Sequence, residues 1–318
     1  MQIGMIGLGR MGANMAKRLA RAGIDVVAFD RSPEARSAVG GERKVTTVDS
    51  LEALVASLAM PRALWMMLPA GDATQFTIGA LRPLLARGDI MVDGANAYYV
   101  DSARRAKMLA PLGIEFVDAG VSGGVWGLEN GFALMLGGTK SAIERLTPVF
   151  QALAPTQDRG WLHCGPAGAG HYTKMIHNGI EYGMMQAYAE GFALLQAKNE
   201  FQLDVAKIAE TWRHGSVVRS WLLDLTADFM KDRHALDHIA PVVADSGEGR
   251  WTALEGIELG IPTPVMSLAL MQRFTSQGKA DYQSKLLARM RQAFGGHAVA
   301  TSPAAAASAN TTTPVRRT

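Results

Sequence analysis

The sequence has a single cysteine, Cys164, in 318 residues. One cysteine excludes an internal disulfide and any multi-cysteine metal site, and it suits a reducing compartment. Charge excess is missing as well: 32 Lys and Arg face 29 Asp and Glu, for a formal net charge of +3. No dense basic run occurs, so nucleic acid is not an expected partner. No apolar run reaches the roughly 18 residues that a membrane span requires. The opening Met1-Gln2-Ile3-Gly4-Met5-Ile6 reads as a strand and lacks the charged start of a signal peptide. The expectation is a cytoplasmic protein with no membrane partner and no resident metal. What is present is an ordinary globular composition, 48% hydrophobic and 19% charged. A single core rarely grows past about 250–300 residues, so the length favours two domains.

The first half alternates strand and helix signals. An apolar run at 3–6 leads into glycines and a helical stretch at 13–21, which Gly23 stops before a second strand at 24–29. Further short apolar runs fall at 63–68, 90–92, 116–117 and 132–136, with helical patterns such as 102–109 and 141–153 between them. Such alternation predicts an α/β Rossmann domain, a doubly wound and mostly parallel sheet with helices on both faces. After Gly165 the pattern becomes helical: 169–198 lacks proline, and 205–212, 220–230 and 266–274 also read as helices. The predicted organisation is a dinucleotide-binding domain over 1–165 and an all-α domain over 166–297. The Ala-, Ser-, Thr- and Pro-rich stretch 298–318 offers too little apolar surface to order itself and is expected to be a disordered tail.

Gly7-Leu8-Gly9-Arg10-Met11-Gly12 follows the first strand and opens the first helix, and the second strand ends at Asp30. In this context the glycines read as a dinucleotide fingerprint. Gly7 permits the tight turn, Gly9 lets a pyrophosphate approach the backbone, and Gly12 lets helix and strand pack closely. Free N–H groups at the helix start then bind the phosphates. Asp30 can accept hydrogen bonds from the ribose hydroxyls of NAD and would repel a 2′-phosphate, whereas Arg31 could pair with that phosphate. The two residues argue in opposite directions. The balance favours NAD and leaves room for NADP. Leu68, closing the run at 63–68, completes the expected cofactor set.

In Gly170-His171-Tyr172-Thr173-Lys174-Met175-Ile176-His177-Asn178-Gly179-Ile180-Glu181-Tyr182, the residues Lys174, His177, Asn178 and Glu181 stand at i, i+3, i+4 and i+7. On a helix these share one face. A solvated face could carry the same charges. Against that reading, the helix is long and otherwise apolar or small, and glycines at 168, 170, 179 and 183 suggest that something approaches closely. A buried lysine loses solvation, its proton affinity falls, and it can act as a base, with a glutamate seven residues on as the acid. Asp93-Gly94-Ala95-Asn96 follows the strand at 90–92, where ligands of open α/β sheets bind. Ser122-Gly123-Gly124 follows another strand. Ser122 is outside any GxSxG elbow, so hydrogen bonding suits it better than nucleophilic attack, and either loop could be a plain turn.

Taken together, these segments resemble the decarboxylating 6-phosphogluconate dehydrogenase family, in its short-chain bacterial form. The resemblance runs from Met1 to about His297. It is carried by Gly7–Gly12, by Asp93–Asn96 with Tyr99, Asp101 and the Arg104-Arg105 pair, by Gly120–Gly124, and by the Lys followed by His-Asn-Gly-Ile-Glu-Tyr-Gly. It implies that Lys174 is the general base and Glu181 the general acid. It implies that Asn96, Ser122, Gly123, Gly124, His177, Asn178 and Tyr182 line the substrate, with Asn96 also near the cofactor. Arg250-Trp251-Thr252 matches a segment that binds the sugar phosphate, through Arg250 and Thr252, and Arg273 matches a further phosphate-binding arginine. Arg291 and His297, with Phe294-Gly295 between them, match a pair that reaches the neighbouring subunit's site. A homodimer or homotetramer with shared active sites is therefore implied.

The chain departs from the family pattern in places. Arg250 stands where long-chain members commonly have Lys, Ala95 and Ala97 replace a Gly and a Ser, and Asp30 replaces the neutral residue usual in NADP-preferring members. The chain also lacks the second half of the enlarged helical domain of long-chain members. The implied reaction is oxidation of 6-phospho-D-gluconate with loss of CO2, giving D-ribulose 5-phosphate. Two rivals remain: a non-decarboxylating β-hydroxyacid dehydrogenase, which needs neither Glu181 nor the arginines, and an inactive NAD(P)-sensing protein, which does not need Lys174.

Overall fold

The computed structural model describes residues 1–300. Its packing divides the chain into two compact units: Met1–Leu203 with Ser246–Ser267, and Asp204–Asp245 with the chain from Leu268 onward. The first unit is built on one sheet. Its strands are β1 (Gln2–Ile6), β2 (Asp25–Phe29), β3 (Val45–Val48), β4 (Ala63–Met66), β5 (Ile90–Asp93), β6 (Glu115–Ser122), β7 (Ala133–Gly137) and β8 (Trp161–Gly165). They lie in the order β3-β2-β1-β4-β5-β6-β7-β8. Strand order reverses at β1, which pairs with β2 on one side and β4 on the other. In open α/β sheets, that reversal opens the crevice in which ligands bind.

The helices α1 (Arg10–Arg21), α2 (Pro33–Ser37), α3 (Leu51–Ala56), α4 (Asp72–Leu81), α5 (Tyr99–Leu109), α6 (Gly127–Asn130) and α7 (Lys140–Leu153) connect these strands. Strands covered on both faces read as unbroken apolar runs, and the alternation shows why. Trp65, Ile90 and Val92 join one core with Met15, Leu19 and Phe150. Their neighbours Leu64, Met66 and Met91 point the other way, into a second core with Leu54, Ile78 and Leu109.

All pairings are parallel except that of β6 with β7. A parallel return needs a crossover of a dozen or more residues. The link from Ser122 to Ala133 is shorter than that and holds only a 3-10 turn and α6, so β7 comes back antiparallel. The link from β7 to β8 contains the 14-residue α7 and restores the parallel sense.

The change from strands to helices falls where the sequence puts it, between β8 and α8 (Ala169–Ala197). The compact unit does not end there. Gly168 offers no side chain to cap α8. Instead Asp118 of β6 accepts from the N–H groups of Gly168 at 2.6 Å and His171 at 2.8 Å. A Cβ on Gly170 would stand 2.5 Å from the carbonyl oxygens of Asp118 and Met135, so only glycine lets α8 lie this close to the sheet. Farther along, Gly179 meets Thr252 of α11 (Glu248–Glu258). The glycines of α8 at 170 and 179 thus admit the sheet and a second helix rather than a ligand.

The second unit contains α9 (Val205–Trp212) and α10 (Trp221–Phe229), joined by Arg213, which binds Glu210, Asp224 and Asp228. The helix α12 (Pro264–Ser276) begins in the first unit and ends in the second, where α13 (Asp281–Gly295) follows. Among the described residues, no helix is long and apolar enough to cross a membrane. The expected tail at 298–318 lies, from residue 301, outside the described residues.

Candidate active site

The glycine turn after β1 is shaped for close backbone approach. Gly7 has φ of 90°, in the left-handed region that side chains disfavour. A Cβ on Gly12 would collide with the carbonyl of Gly7, and one on Gly7 would collide with that of Met67, with Leu68 beside it. A Cβ on Gly9 would meet nothing within 4 Å. Open space at Gly9, above the N-terminus of α1, is what a dinucleotide pyrophosphate needs. Asp30 lies at the end of β2, half-buried. Its carboxylate accepts from the Leu8 N–H at 2.7 Å and the Ser32 N–H at 2.9 Å. Each carboxylate oxygen retains capacity for a ribose hydroxyl. Arg10 and Arg31 are exposed, and Met11 is partly buried in the first turn of α1. These residues fit a nicotinamide dinucleotide.

The ends of β5 and β6 add the next layer. Asp93 is fully buried and pairs with Arg105 of α5 at 2.8 Å, while its other oxygen accepts from the Ala95 N–H at 3.1 Å. The buried ion pair thereby shapes the loop that presents Asn96, whose own side chain is exposed at the loop tip. After Ser122 the chain turns through Gly123 and Gly124, with φ of 137° and 53°. Asn14 of α1 donates to the carbonyl of Val125 at 3.1 Å and ties this loop to the dinucleotide helix.

Against these loops α8 presents the polar face expected from its spacing. Lys174 is only 7% exposed and packs over Gly120 of β6. Its Nζ donates to Asn178 Oδ1 and lies 3.4 Å from His177 Nδ1. His177 Nδ1 is 3.8 Å from a carboxylate oxygen of Glu181. Burial pushes the Lys174 amine below the ordinary lysine value of 10.5, and the charges of Glu181 and Glu248 oppose that shift. The face is therefore graded: Lys174 and Asn178 are buried, while His177 and Glu181 remain partly open to solvent.

Two expected substrate contacts are engaged by other side chains and carbonyls of the protein. Thr252 is 1% exposed, and its hydroxyl donates to the carbonyls of Met175 and Glu248 at 2.9 Å each, so it locks α11 to α8 instead of facing a substrate. Tyr182 is buried too, with its phenol 3.2 Å from Ser246 Oγ and 3.4 Å from Glu248 Oε2. Arg250 is exposed on α11. Arg273, Arg291 and His297 belong to the second unit, where Arg273 donates to the Ala244 carbonyl at 2.8 Å. Sequence reasoning missed Glu248, a carboxylate only 4% exposed that accepts from Asn96 Nδ2. Its one local signal is a glutamate between Gly247 and Gly249 at a helix start; Gly249 is small because the Tyr182 ring packs against it.

A dinucleotide cradle at the switch point of a Rossmann sheet, with a buried lysine on the helix behind it, defines a nicotinamide-dependent dehydrogenase. The profile of the NAD binding domain of 6-phosphogluconate dehydrogenase matches residues 2–164, and that of the 6-phosphogluconate dehydrogenase C-terminal domain matches residues 170–310. The chain belongs to the 6-phosphogluconate dehydrogenase family. It is 43% identical over 301 residues, 94% of this chain and 99% of the relative, to the NAD(+)-dependent, decarboxylating 6-phosphogluconate dehydrogenase of Haloferax volcanii. It is 39% identical over 292 residues to the decarboxylating 6-phosphogluconate dehydrogenase of Staphylococcus aureus, covering 88% of this chain and 62% of that longer protein. Among solved structures, the 6-phosphogluconate dehydrogenase of Plasmodium falciparum superimposes with a TM-score of 0.81 at 29% identity, over 95% of this chain and 67% of that one. A 3-hydroxyisobutyrate dehydrogenase of Mycobacterium tuberculosis shares the fold, with a TM-score of 0.65 at 23% identity over 88% of this chain and 94% of that one.

Proposed function

We propose that this protein oxidises and decarboxylates 6-phospho-D-gluconate to D-ribulose 5-phosphate and CO2, using NAD in preference to NADP. The observation that carries the reading is the burial of Lys174 among His177, Asn178 and Glu181 on one face of α8, in a chain of this family. The glycine turn at Gly7–Gly12 and Asp30 would hold the dinucleotide, whose nicotinamide would supply the hydride acceptor for C3 of the substrate. Lys174, whose hold on its proton burial weakens, takes the proton of the C3 hydroxyl, and the substrate becomes a β-keto acid. The protonated amine then donates to the new ketone oxygen, which draws electrons from the breaking bond as the carboxylate leaves as CO2. Glu181 delivers a proton to the carbon that becomes C1 of the product, while Lys174 takes back the enediol proton. A proton passed from Lys174 to Glu181 restores both groups, so the cycle balances.

Asn96, Ser122, Gly123, Gly124, His177 and Asn178 supply the polar wall around the substrate in this reading. Arg250 holds the phosphate, since a guanidinium group binds phosphate in a charge-assisted, bidentate way. Arg291 and His297 come from a neighbouring copy in a homodimer or homotetramer. Asp30 favours NAD because its charge repels a 2′-phosphate, in keeping with the NAD(+)-dependent name of the Haloferax volcanii relative.

The test is an assay with 6-phosphogluconate and each cofactor, following reduced nicotinamide and CO2 together. Equal yields of the two, faster with NAD, are expected. Reduced cofactor without CO2 would make the protein a non-decarboxylating β-hydroxyacid dehydrogenase. Cofactor binding without turnover would make it a sensor.

A further inference from the structure

The mechanism leaves unused a buried acid that is hydrogen-bonded to Asn96. Glu248 is the first residue of α11, where the positive end of a helix favours a carboxylate. Its Oε1 accepts from Asn96 Nδ2, and its Oε2 accepts from Ser246 Oγ at 2.6 Å and from the Tyr182 phenol at 3.4 Å. An ionised carboxylate only accepts, so it dictates the direction of whatever it touches. The amide of Asn96 must turn its nitrogen to Glu248, which leaves Oδ1 to face Asn178 Nδ2 at 3.5 Å. The amide of Asn178 is then turned in the same sense, and its Oδ1 receives Lys174 Nζ. Four side chains from the β5–α5 loop, α8 and α11 thus form one directed line, from the amine of Lys174 to the carboxylate of Glu248.

We propose that Glu248 is a positioning residue for the reaction: through Asn96 and Asn178 it aims the Lys174 amine, and it lends the negative charge that lets this amine hold a proton. The inference rests on the reading of Lys174 as the base. Its chemical logic comes from the two steps that Lys174 performs. A lysine that burial alone controlled would take the hydroxyl proton poorly. The next step needs the proton kept long enough to be offered to the ketone oxygen. A carboxylate at the far end of the line meets that need without touching the substrate.

The charged groups that face Lys174 are few. Its own helix offers His177 and Glu181, and α11 offers Glu248. On β6 the residue beneath it is Gly120, and Asp118 on the same strand is engaged by the first N–H groups of α8. Helix α5 meets α8 a turn earlier, through Ser102 with His171 and Tyr99 with Tyr172. Removing the charge of Glu248 therefore removes one of two carboxylates that favour the protonated amine.

The experiment compares Glu248→Gln and Glu248→Asp with the wild type, reading kcat, KM and the pH profile of kcat/KM for 6-phosphogluconate, with NADH binding by fluorescence as the control for folding. Glutamine keeps a hydrogen-bond acceptor and loses the charge, so the acid limb should move to lower pH. Misaiming the base should lower kcat about 10-fold to 100-fold, while NADH affinity stays within a few-fold. Aspartate keeps the charge but falls short of Asn96, so its limb should stay near that of the wild type while kcat drops. A Glu248→Gln profile that superimposes on the wild type, or moves to higher pH, overturns the proposal. If Glu248→Gln fails to bind NADH, the aspartate variant decides, and an unchanged kcat there overturns it. Full activity in Lys174→Met would instead remove the underlying reading of the base, which makes the two failures distinguishable.

Discussion

Asp118 and His171 are joined across the boundary between sheet and helix: the carboxylate of Asp118 accepts the backbone N–H of His171 at 2.8 Å. Its second oxygen takes the N–H of Gly168 at 2.6 Å, so one buried side chain caps the helix that carries Lys174. Unpaired N–H groups at a helix start need such acceptors. Asp118→Asn presents one acceptor and one donor to two donors. It should lower stability by about 1–3 kcal/mol, seen as a fall in the thermal midpoint. Because the first turn of α8 then loosens, kcat should fall while KM for NAD holds. An unchanged midpoint would show that the cap is dispensable.

The amine of Lys174 lies below the ordinary lysine value because of burial, with Glu181 and Glu248 opposing. A base works in its deprotonated form, so kcat/KM should rise with pH and level off. The acid limb should fall below the range of an exposed lysine. Lys174→Met should abolish turnover and the limb with it, while NADH titration shows affinity within a few-fold of wild type. Turnover at the wild-type rate in this variant would take Lys174 out of the chemistry.

Cofactor choice should follow Asp30. The wild type is expected to give a higher kcat/KM with NAD than with NADP, and Asp30→Asn should narrow or reverse that ratio by removing the repulsion of a 2′-phosphate. A wild-type enzyme that clearly prefers NADP would give the leading role to Arg31.

Subunit sharing can be read by complementation. Lys174→Met and Arg291→Ala chains, each nearly inactive alone, should regain activity when mixed under conditions that exchange subunits. Some sites would then receive an intact base from one copy and an intact arginine from another. Removal of residues 291–318 should raise KM for 6-phosphogluconate strongly, whereas removal of 299–318 alone should do little. No recovery after demonstrated exchange would mean that each chain completes its own site.

Legibility in the sequence followed distance along the chain. The glycine turn, Asp30 and the polar face of α8 are each contained in a local run, and local runs encode turn geometry and helical period. Residues that act across long separations escaped. Glu248 reaches Asn96 over a separation of 152 residues, and a lone glutamate at a helix start reads as solvated until its neighbours are known. Thr252 shows the converse: it sits in a motif suggestive of ligand binding, and only the approach of Gly179 reveals it as a packing residue. The strand β3, Val45–Val48, is four residues long with two threonines, too short for periodicity to register. The reversal of β7 is a property of the short link before it, which composition does not express.

The carboxylate of Asp30 holds Leu8 and Ser32 in place before any cofactor arrives. The residue proposed to discriminate between cofactors is therefore also a fastener of the glycine turn, and the two duties cannot be selected separately. A lineage, or a designer, moving this enzyme toward NADP has no single clean step at position 30: each replacement alters loop order along with preference. The accessible route begins by securing Leu8 and Ser32 through other acceptors and exchanges the acid last. A preference for NAD, as proposed, would in this sense be historically sticky, maintained by the architecture of the turn as well as by the chemistry of the ribose.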